Sequence, residues 1–204
     1  EQPATPVLRQ GGRSLKVVVE RDEGFKSDVS VQMLWNPPGL SSAPNVNLPA
    51  AQGTADYAVN AAGDAPLKTW KVCVLAHANV QGGDVWIASD FIDLTVADTY
   101  EGGKLEMAAT ERGKPAGMLC KLTSVRPFEG KARLTLVGLP PKVRCEPREI
   151  ASADAETIFE IATEADAPVG QHRGLFCELE VQQGGETVKH RLAFDGVLRI
   201  DNPP

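Results

Sequence analysis

Few residues in this chain carry obvious chemistry, and they are widely spaced. Four cysteines, Cys73, Cys120, Cys145 and Cys177, allow three complete pairings. No two are close enough for a C-x-x-C site, so structural zinc and thioredoxin-type exchange both lack their signature. The three histidines, His77, His172 and His190, match no zinc spacing either. A site drawn from His172, His190 and Cys177 would need a convergence that linear spacing does not supply. His190, in Lys189-His190-Arg191, reads as a solvated strand residue, and His172 as packing at the start of a strand. Two acidic groups stand near turns: Glu20, Asp22, Glu23 and Asp28, then Asp154, Glu156, Glu160 and Glu164. Calcium favours several oxygens around one constrained loop. Here the carboxylates alternate with Arg21, Lys26 and Arg148, without EF-hand spacing, and read as solvated faces. No metal and no cofactor is expected.

Nucleophile motifs are equally absent: there is no G-x-S-x-G, Walker A sequence or H-E-x-x-H. A triad scattered along the chain escapes such a search, which leaves a hydrolase as a third and distant reading. The expectation is a protein that is not an enzyme. Aromatic rings offer one further handle, since sugar-binding sandwiches present exposed rings. Trp35 follows Val29, Val31 and Met33 in parity and is expected to close a core. Trp86 is opposite in parity to Val85 and Ile87, so it faces outward if they face inward. It is the candidate ligand-binding residue, with carbohydrate as the ligand.

Positioning these residues falls to short strands. With 204 residues the chain forms one large domain or two of about a hundred. Hydrophobic residues make up 42% and charged residues 24%, a globular balance with no apolar run of membrane-spanning length. A net charge of −6 argues against nucleic acid, which selects a basic face. Nineteen Gly and 15 Pro interrupt the chain too often for long helices. Leu15, Val17 and Val19 alternate with Lys16, Val18 and Glu20, and Val29, Val31, Met33 and Trp35 with Ser30, Gln32 and Leu34. That period of two marks half-buried strands. Asn36-Pro37-Pro38-Gly39 ends the second one, and Gln81-Gly82-Gly83-Asp84 suits a hairpin loop. Residues 153–163 satisfy a helix by propensity, whereas Phe159 and Ile161 fit a strand.

The halves repeat, which favours the strand there. At an offset of 103, Phe25 matches Phe128, Pro37-Pro38 matches Pro140-Pro141, and Val31 matches Leu134. At 102, Tyr57 matches Phe159, Trp70 matches His172, and Asp64-Ala65-Pro66 matches Asp166-Ala167-Pro168. The offset then returns to 103, pairing Phe91 with Phe194. One β-sandwich used twice, with a joint near residues 98–104, accounts for ordered matches with single-residue gaps. The chain stops at Asp201-Asn202-Pro203-Pro204, where a third module could begin, so an excerpt of a longer protein is expected. No basic start followed by an apolar run marks a signal peptide.

Three phrases then carry a resemblance: Glu23-Gly24-Phe25-Lys26, Gly138-Leu139-Pro140-Pro141, and Asp166-Ala167-Pro168-Val169-Gly170-Gln171-His172. In them the chain resembles the immunoglobulin-like β-sandwich repeats of large exported bacterial proteins, accessory modules that sometimes neighbour pre-peptidase or peptidase domains. The first half departs from the pattern at Trp35-Asn36 and Leu67-Lys68. The resemblance implies an all-β protein of two tandem immunoglobulin-like sandwiches, residues 1–100 and 101–204. It implies an extracytoplasmic location, with other domains of a longer chain or another protein as partners, and no membrane insertion in this segment. An inter-sheet bridge of the immunoglobulin type would join Cys120 to Cys177, 57 residues apart, whose counterparts in the first half are Val17 and Leu75. Cys145–Cys177 is the competing bridge, and Cys73 is expected to be a buried thiol. The functional expectation is a noncatalytic structural or interaction pair, with a carbohydrate-binding module as the alternative.

Overall fold

Alternating apolar positions need a second sheet to cover them, and both halves solve this in the same way. A computed structural model describes residues 1–203. It divides into two units, Glu1–Ala97 and Asp98–Pro204. Every regular element among the described residues is a strand. Each unit is an immunoglobulin-like sandwich.

Unit 1 contains β1 (Val7–Leu8), β2 (Gly11–Val18), β3 (Val29–Met33), β4 (Leu40–Ser42), β5 (Val46–Leu48), β6 (Thr54–Ala61), β7 (Thr69–Val72), β8 (Val74–Val80), β9 (Gly83–Ala88) and β10 (Ile92–Ala97). One face is β2-β6-β4; the other is β5-β3-β8-β9, continued by β1-β10-β7. Unit 2 contains β11 (Glu101–Leu105), β12 (Ala108–Glu111), β13 (Ala116–Ser124), β14 (Lys131–Val137), β15 (Val143–Cys145), β16 (Arg148–Ala151), β17 (Glu156–Thr163), β18 (Gly170–Gln183) and β19 (Glu186–Asp201). Its sheets run β11-β13-β17-β15 and β16-β14-β18-β19, and β12 lies parallel to β19. In unit 1, β1 lies parallel to β10 in the equivalent way.

Strand registers convert the sequence repeat into a spatial one. Leu15 faces Tyr57 as Met118 faces Phe159, and Val31 faces Ala76 as Leu134 faces Leu179. Residues 153–163 are strand: Phe159 and Ile161 are buried in β17 and Ile158 points out. The cores follow the alternation, with Leu15, Tyr57, Val59, Leu94 and Val96 buried in unit 1 and Met118, Phe159, Leu134, Leu179 and Leu198 in unit 2. Trp35 departs from its expectation. It is 41% exposed and meets Trp70 edge to face, because β3 ends at Met33 and the parity that aimed Trp35 inward stops with it.

The proline pairs build matching corners. In unit 1 the amide of Leu40 donates to the Pro37 carbonyl, and that of Ala62 to the Gly39 carbonyl. In unit 2 Val143 donates to Pro140, and Glu164 to Lys142. The residue after each proline pair is left-handed, with φ 75° at Gly39 and 65° at Lys142. A Cβ on Gly39 would stand 2.5 Å from the Ala65 Cα, so this corner takes glycine for both φ and space. Lys142 carries the left-handed strain at a looser corner and gains only an exposed ion pair with Asp166. Gly39→Ala is therefore expected to destabilise unit 1 by about 2 kcal/mol, and Lys142→Gly to stabilise unit 2 by roughly 0.5–1 kcal/mol. Urea unfolding of the two variants checks both signs.

Candidate functional site

The cysteine pair chosen from sequence does converge. β13 and β18 belong to opposed sheets, and they bring Cys120 and Cys177, both fully buried, to a sulfur–sulfur distance of 4.0 Å. The expected bridge is not formed: all four cysteines are free thiols, and 4.0 Å is about twice the length of a disulfide bond. Contact with Cys120, then burial, drives the Cys177 thiol far above the usual range. Burial pushes the half-buried Cys145 thiol up to about 11. Cys177 and Cys145 are thereby held as thiols, whereas the thiolate is the reactive form. The first-half counterpart of Cys177 is Val74, not Leu75: Met33 faces Val74 as Leu136 faces Cys177. Cys73 is buried.

Among the described residues no three metal-ligating side chains form a group. His172 contacts the Pro168 carbonyl oxygen at 2.9 Å, and the acidic residues serve turns and exposed pairs. Asp28 accepts the Ala50 amide, Asp154 accepts the Ala151 amide, and Glu160 and Glu164 pair with Arg148 and Arg144.

His190 overturns its reading as a solvated residue. It is 1% exposed on β19, because the chain entering β11 crosses over it. The amides of Tyr100 and Glu101 donate to its Nε2 at 3.2 and 3.4 Å, and its Nδ1 contacts the Arg191 carbonyl oxygen at 3.3 Å. Nε2 is thus an acceptor and Nδ1 carries the proton, which defines a neutral ring. Burial holds its pKa down at about 4, and the Arg126 cation pushes the same way. Tyr100 closes the cluster. Its ring lies edge-on to Phe128 and under the Arg126 guanidinium, and its hydroxyl donates to Gln183 Oε1. Glu101 is also buried. Neither of its carboxylate oxygens has a hydrogen-bond partner, and burial raises its pKa, with Ser124 opposite exerting a weaker downward pull. The flanking Lys189 and Arg191 concealed this cluster in the sequence. Its one legible sign was Tyr100, one of only two tyrosines.

Unit 1 lacks a comparable cover among its described residues, and its β8–β9 hairpin is open. Trp86 is 54% exposed and stacks on His77 with ring centroids 4.5 Å apart, although the parity argument that aimed it outward required Val85 and Ile87 to face inward. His77 in turn pairs with Asp84. Val85 and Ile87 are exposed as well, so β9 turns neither face inward. Beneath them runs an apolar groove of about 410 Å³, lined by Val17, Val19, Phe25, Val31, Ala76 and Ile87 among others. Apolar surface concentrated in this way marks contact with another molecule more often than scattered residues do.

No protein-family model matches the chain, and no curated protein does. Solved structures similar to it span nearly its whole length. A protein of unknown function from Porphyromonas gingivalis W83 is 13% identical over 95% of this chain and 94% of its own, with a TM-score of 0.33. The D0-D1 domain of intimin is 12% identical over 96% and 95%, with a TM-score of 0.29. A chimeric titin Z1Z2 tandem is 13% identical over 96% and 94%, with a TM-score of 0.27. Scores this low carry no argument, and the immunoglobulin-like architecture rests on the two-sheet topology itself. Among the described residues no helix is long and apolar enough to cross a membrane.

The His190 geometry makes unit 2 sensitive to acid. Its folded pKa, about 4, lies below the unfolded value of 6.5, so the unfolded chain takes the proton first. The stabilisation is complete above pH 6.5 and is lost as pH falls toward 4, up to about 3 kcal/mol. Glu101 works in the opposite sense: its raised pKa favours the fold as pH drops through its titration. Arg126 and Asp98 are the charged groups that act on the ring across space, in opposite directions. Urea unfolding between pH 8 and 4.5 is expected to show stability falling with pH, and His190→Gln to flatten that slope. Equal slopes would contradict the buried neutral imidazole.

Proposed function

We propose that this chain is a noncatalytic pair of immunoglobulin-like modules that spaces, displays or docks parts of a larger exported bacterial protein. The observation supporting this is where the chemistry has gone. His190, Glu101, Tyr100 and the Cys120–Cys177 pair are buried in the fold of unit 2, while β9 of unit 1 exposes Val85, Trp86 and Ile87 in succession. The sequence phrases shared with accessory repeats of exported proteins agree with this reading, neighbouring peptidase-type domains included. Carbohydrate binding is a second reading carried by Trp86 alone, a single ring on His77 without a row of partners.

Separate expression tests the modular part. Residues 1–97 and 98–204 are each expected to unfold cooperatively, and insolubility of both beside a soluble joined chain would mean one fused domain. Trp fluorescence during titration with polysaccharides tests the alternative. No saturable response is expected, and one abolished by Trp86→Ala would favour the carbohydrate reading.

An extracytoplasmic setting carries a further consequence for the thiols. Two buried sulfurs already in contact need only a small approach to bond, and closing a loop of this size stabilises by about 4 kcal/mol in the chain-entropy model. Expressed in an oxidising compartment, the chain is expected to yield a Cys120–Cys177 linked peptide in a nonreduced digest. A free Cys120 peptide would remove the bridge and weaken the case for export.

A further inference from the structure

A buried carboxylate needs a proton, a hydrogen-bonding partner or a cation. Glu101 is 1% exposed, and neither of its oxygens has a hydrogen-bond partner among the described residues. Its position follows from strand parity. Glu101 and Leu105 share the inward face of β11, and the register sets them opposite Ser124 and Cys120 of β13. Ser124 ends β13, so the Glu101–Ser124 pair lies at the margin of the sheet, where the turn between β16 and β17 meets it. The Leu122 amide donates to the Ala155 carbonyl at 2.8 Å and holds the two segments together. Within that turn the Asp154 amide donates to the Ala151 carbonyl at 3.0 Å, and Asp154 Oδ2 accepts the Ala151 amide at 2.8 Å. The Ser152 hydroxyl stands 3.4 Å from that of Ser124. Asp154 acts on Glu101 as a like charge, and the nearest listed lysine on that side, Lys131, is engaged by Glu149.

The same corner of unit 1 is built alike and filled differently. Val19 donates to the Gly53 carbonyl at 2.8 Å as Leu122 does to Ala155, and Gln52 donates to Pro49 at 2.8 Å as Asp154 does to Ala151. Since Leu15 faces Tyr57 as Met118 faces Phe159, Ser124 corresponds to Arg21 and Asp154 to Gln52. The Arg21 guanidinium donates to the carbonyls of Leu48, Pro49 and Gln52, so unit 1 places a cation of its own on this turn. Unit 2 has exchanged the arginine for a serine and the glutamine for an aspartate. It therefore gathers negative charge where its counterpart holds positive charge, and keeps one of the two carboxylates buried.

We propose that Glu101, Asp154, Ser124 and Ser152 form a calcium site at this corner of unit 2, with Glu101 as the inner ligand and Asp154 as the ligand on the solvent side. The donors are oxygens throughout, which suits a hard cation and not zinc. Only two of the four are carboxylates, so the group stays short of three His, Cys, Asp or Glu side chains. Ligands drawn from β11, β13 and a turn suit the irregular coordination of calcium better than the strict octahedron of magnesium. Ser124 and Asp154 are exposed, which gives the ion an entry path and leaves its remaining positions to water. Bound there, calcium compensates the buried Glu101 charge and relieves its repulsion with Asp154. Two carboxylates and a hydrated rim place the affinity at about 10⁻⁴–10⁻³ M. The inference rests on the two matched corners and not on export, display or the redox state of the cysteines.

The test titrates the full chain with calcium chloride, against sodium chloride at matched ionic strength, by calorimetry and thermal unfolding. Saturable binding of one ion is expected, with a raised melting temperature. Glu101→Gln is expected to weaken binding at least about tenfold. Asp154→Asn should do the same, and it keeps an acceptor for the Ala151 amide, so the turn survives the loss of charge. Ser124→Arg supplies the guanidinium that unit 1 uses, and is expected to abolish the calcium response while the calcium-free protein melts no lower than the parent chain. Absence of saturable binding would overturn the proposal and leave Glu101 a protonated core residue. A thermal shift unchanged in Asp154→Asn or Ser124→Arg would overturn it as well, reducing the effect to general screening. None of these failures touches the two-module reading, which separate expression tests independently.

Discussion

A sandwich this poor in aromatic residues depends on covering both inner sheet faces completely. Three Trp, two Tyr and six Phe are spread over 204 residues, so the cores are made of Val, Leu, Ile and Ala at alternate positions. Such side chains contribute only while water is kept from both ends of the inter-sheet space, because their stabilisation scales with the apolar area removed from solvent. Strand pairing supplies the geometry for this, and closure supplies the energy. In unit 2 the closing element is β11 with Tyr100, and much of what is unusual there follows from it. The strand brings two backbone amides onto His190, forces that ring to stay neutral, and carries Glu101 into the interior without a partner. A carboxyl group and an imidazole are poor core residues on their own. They are tolerated because the strand that buries them also covers Val188, Leu192 and the rest of the inner face of β19.

Much of this architecture was legible in the sequence, for specific reasons. Period-two alternation with β-branched residues identified the central strands, and the proline pairs at residues 37–38 and 140–141 marked corners that recur with matching hydrogen bonds. The repeat favoured a strand over residues 153–163, where the residues alone fitted both readings, and the structure agrees: Phe159 is buried and Ile158, which helical spacing would have buried, is exposed. Cys120 and Cys177 lie against each other. Their bond was inferred from an architecture in which such pairs are joined, and the sulfurs stop at contact distance.

The misreadings share a cause: solvent exposure of a β-strand is decided by elements far away in sequence. His190 sits between Lys189 and Arg191, and its burial depends on Tyr100, 90 residues earlier. Val85 and Ile87 have the composition and parity of inward residues, yet both are exposed. Trp35 likewise extends the alternation of β3 by one step beyond the point where the strand stops. Local pattern reports which residues share a face. It does not report whether that face is covered.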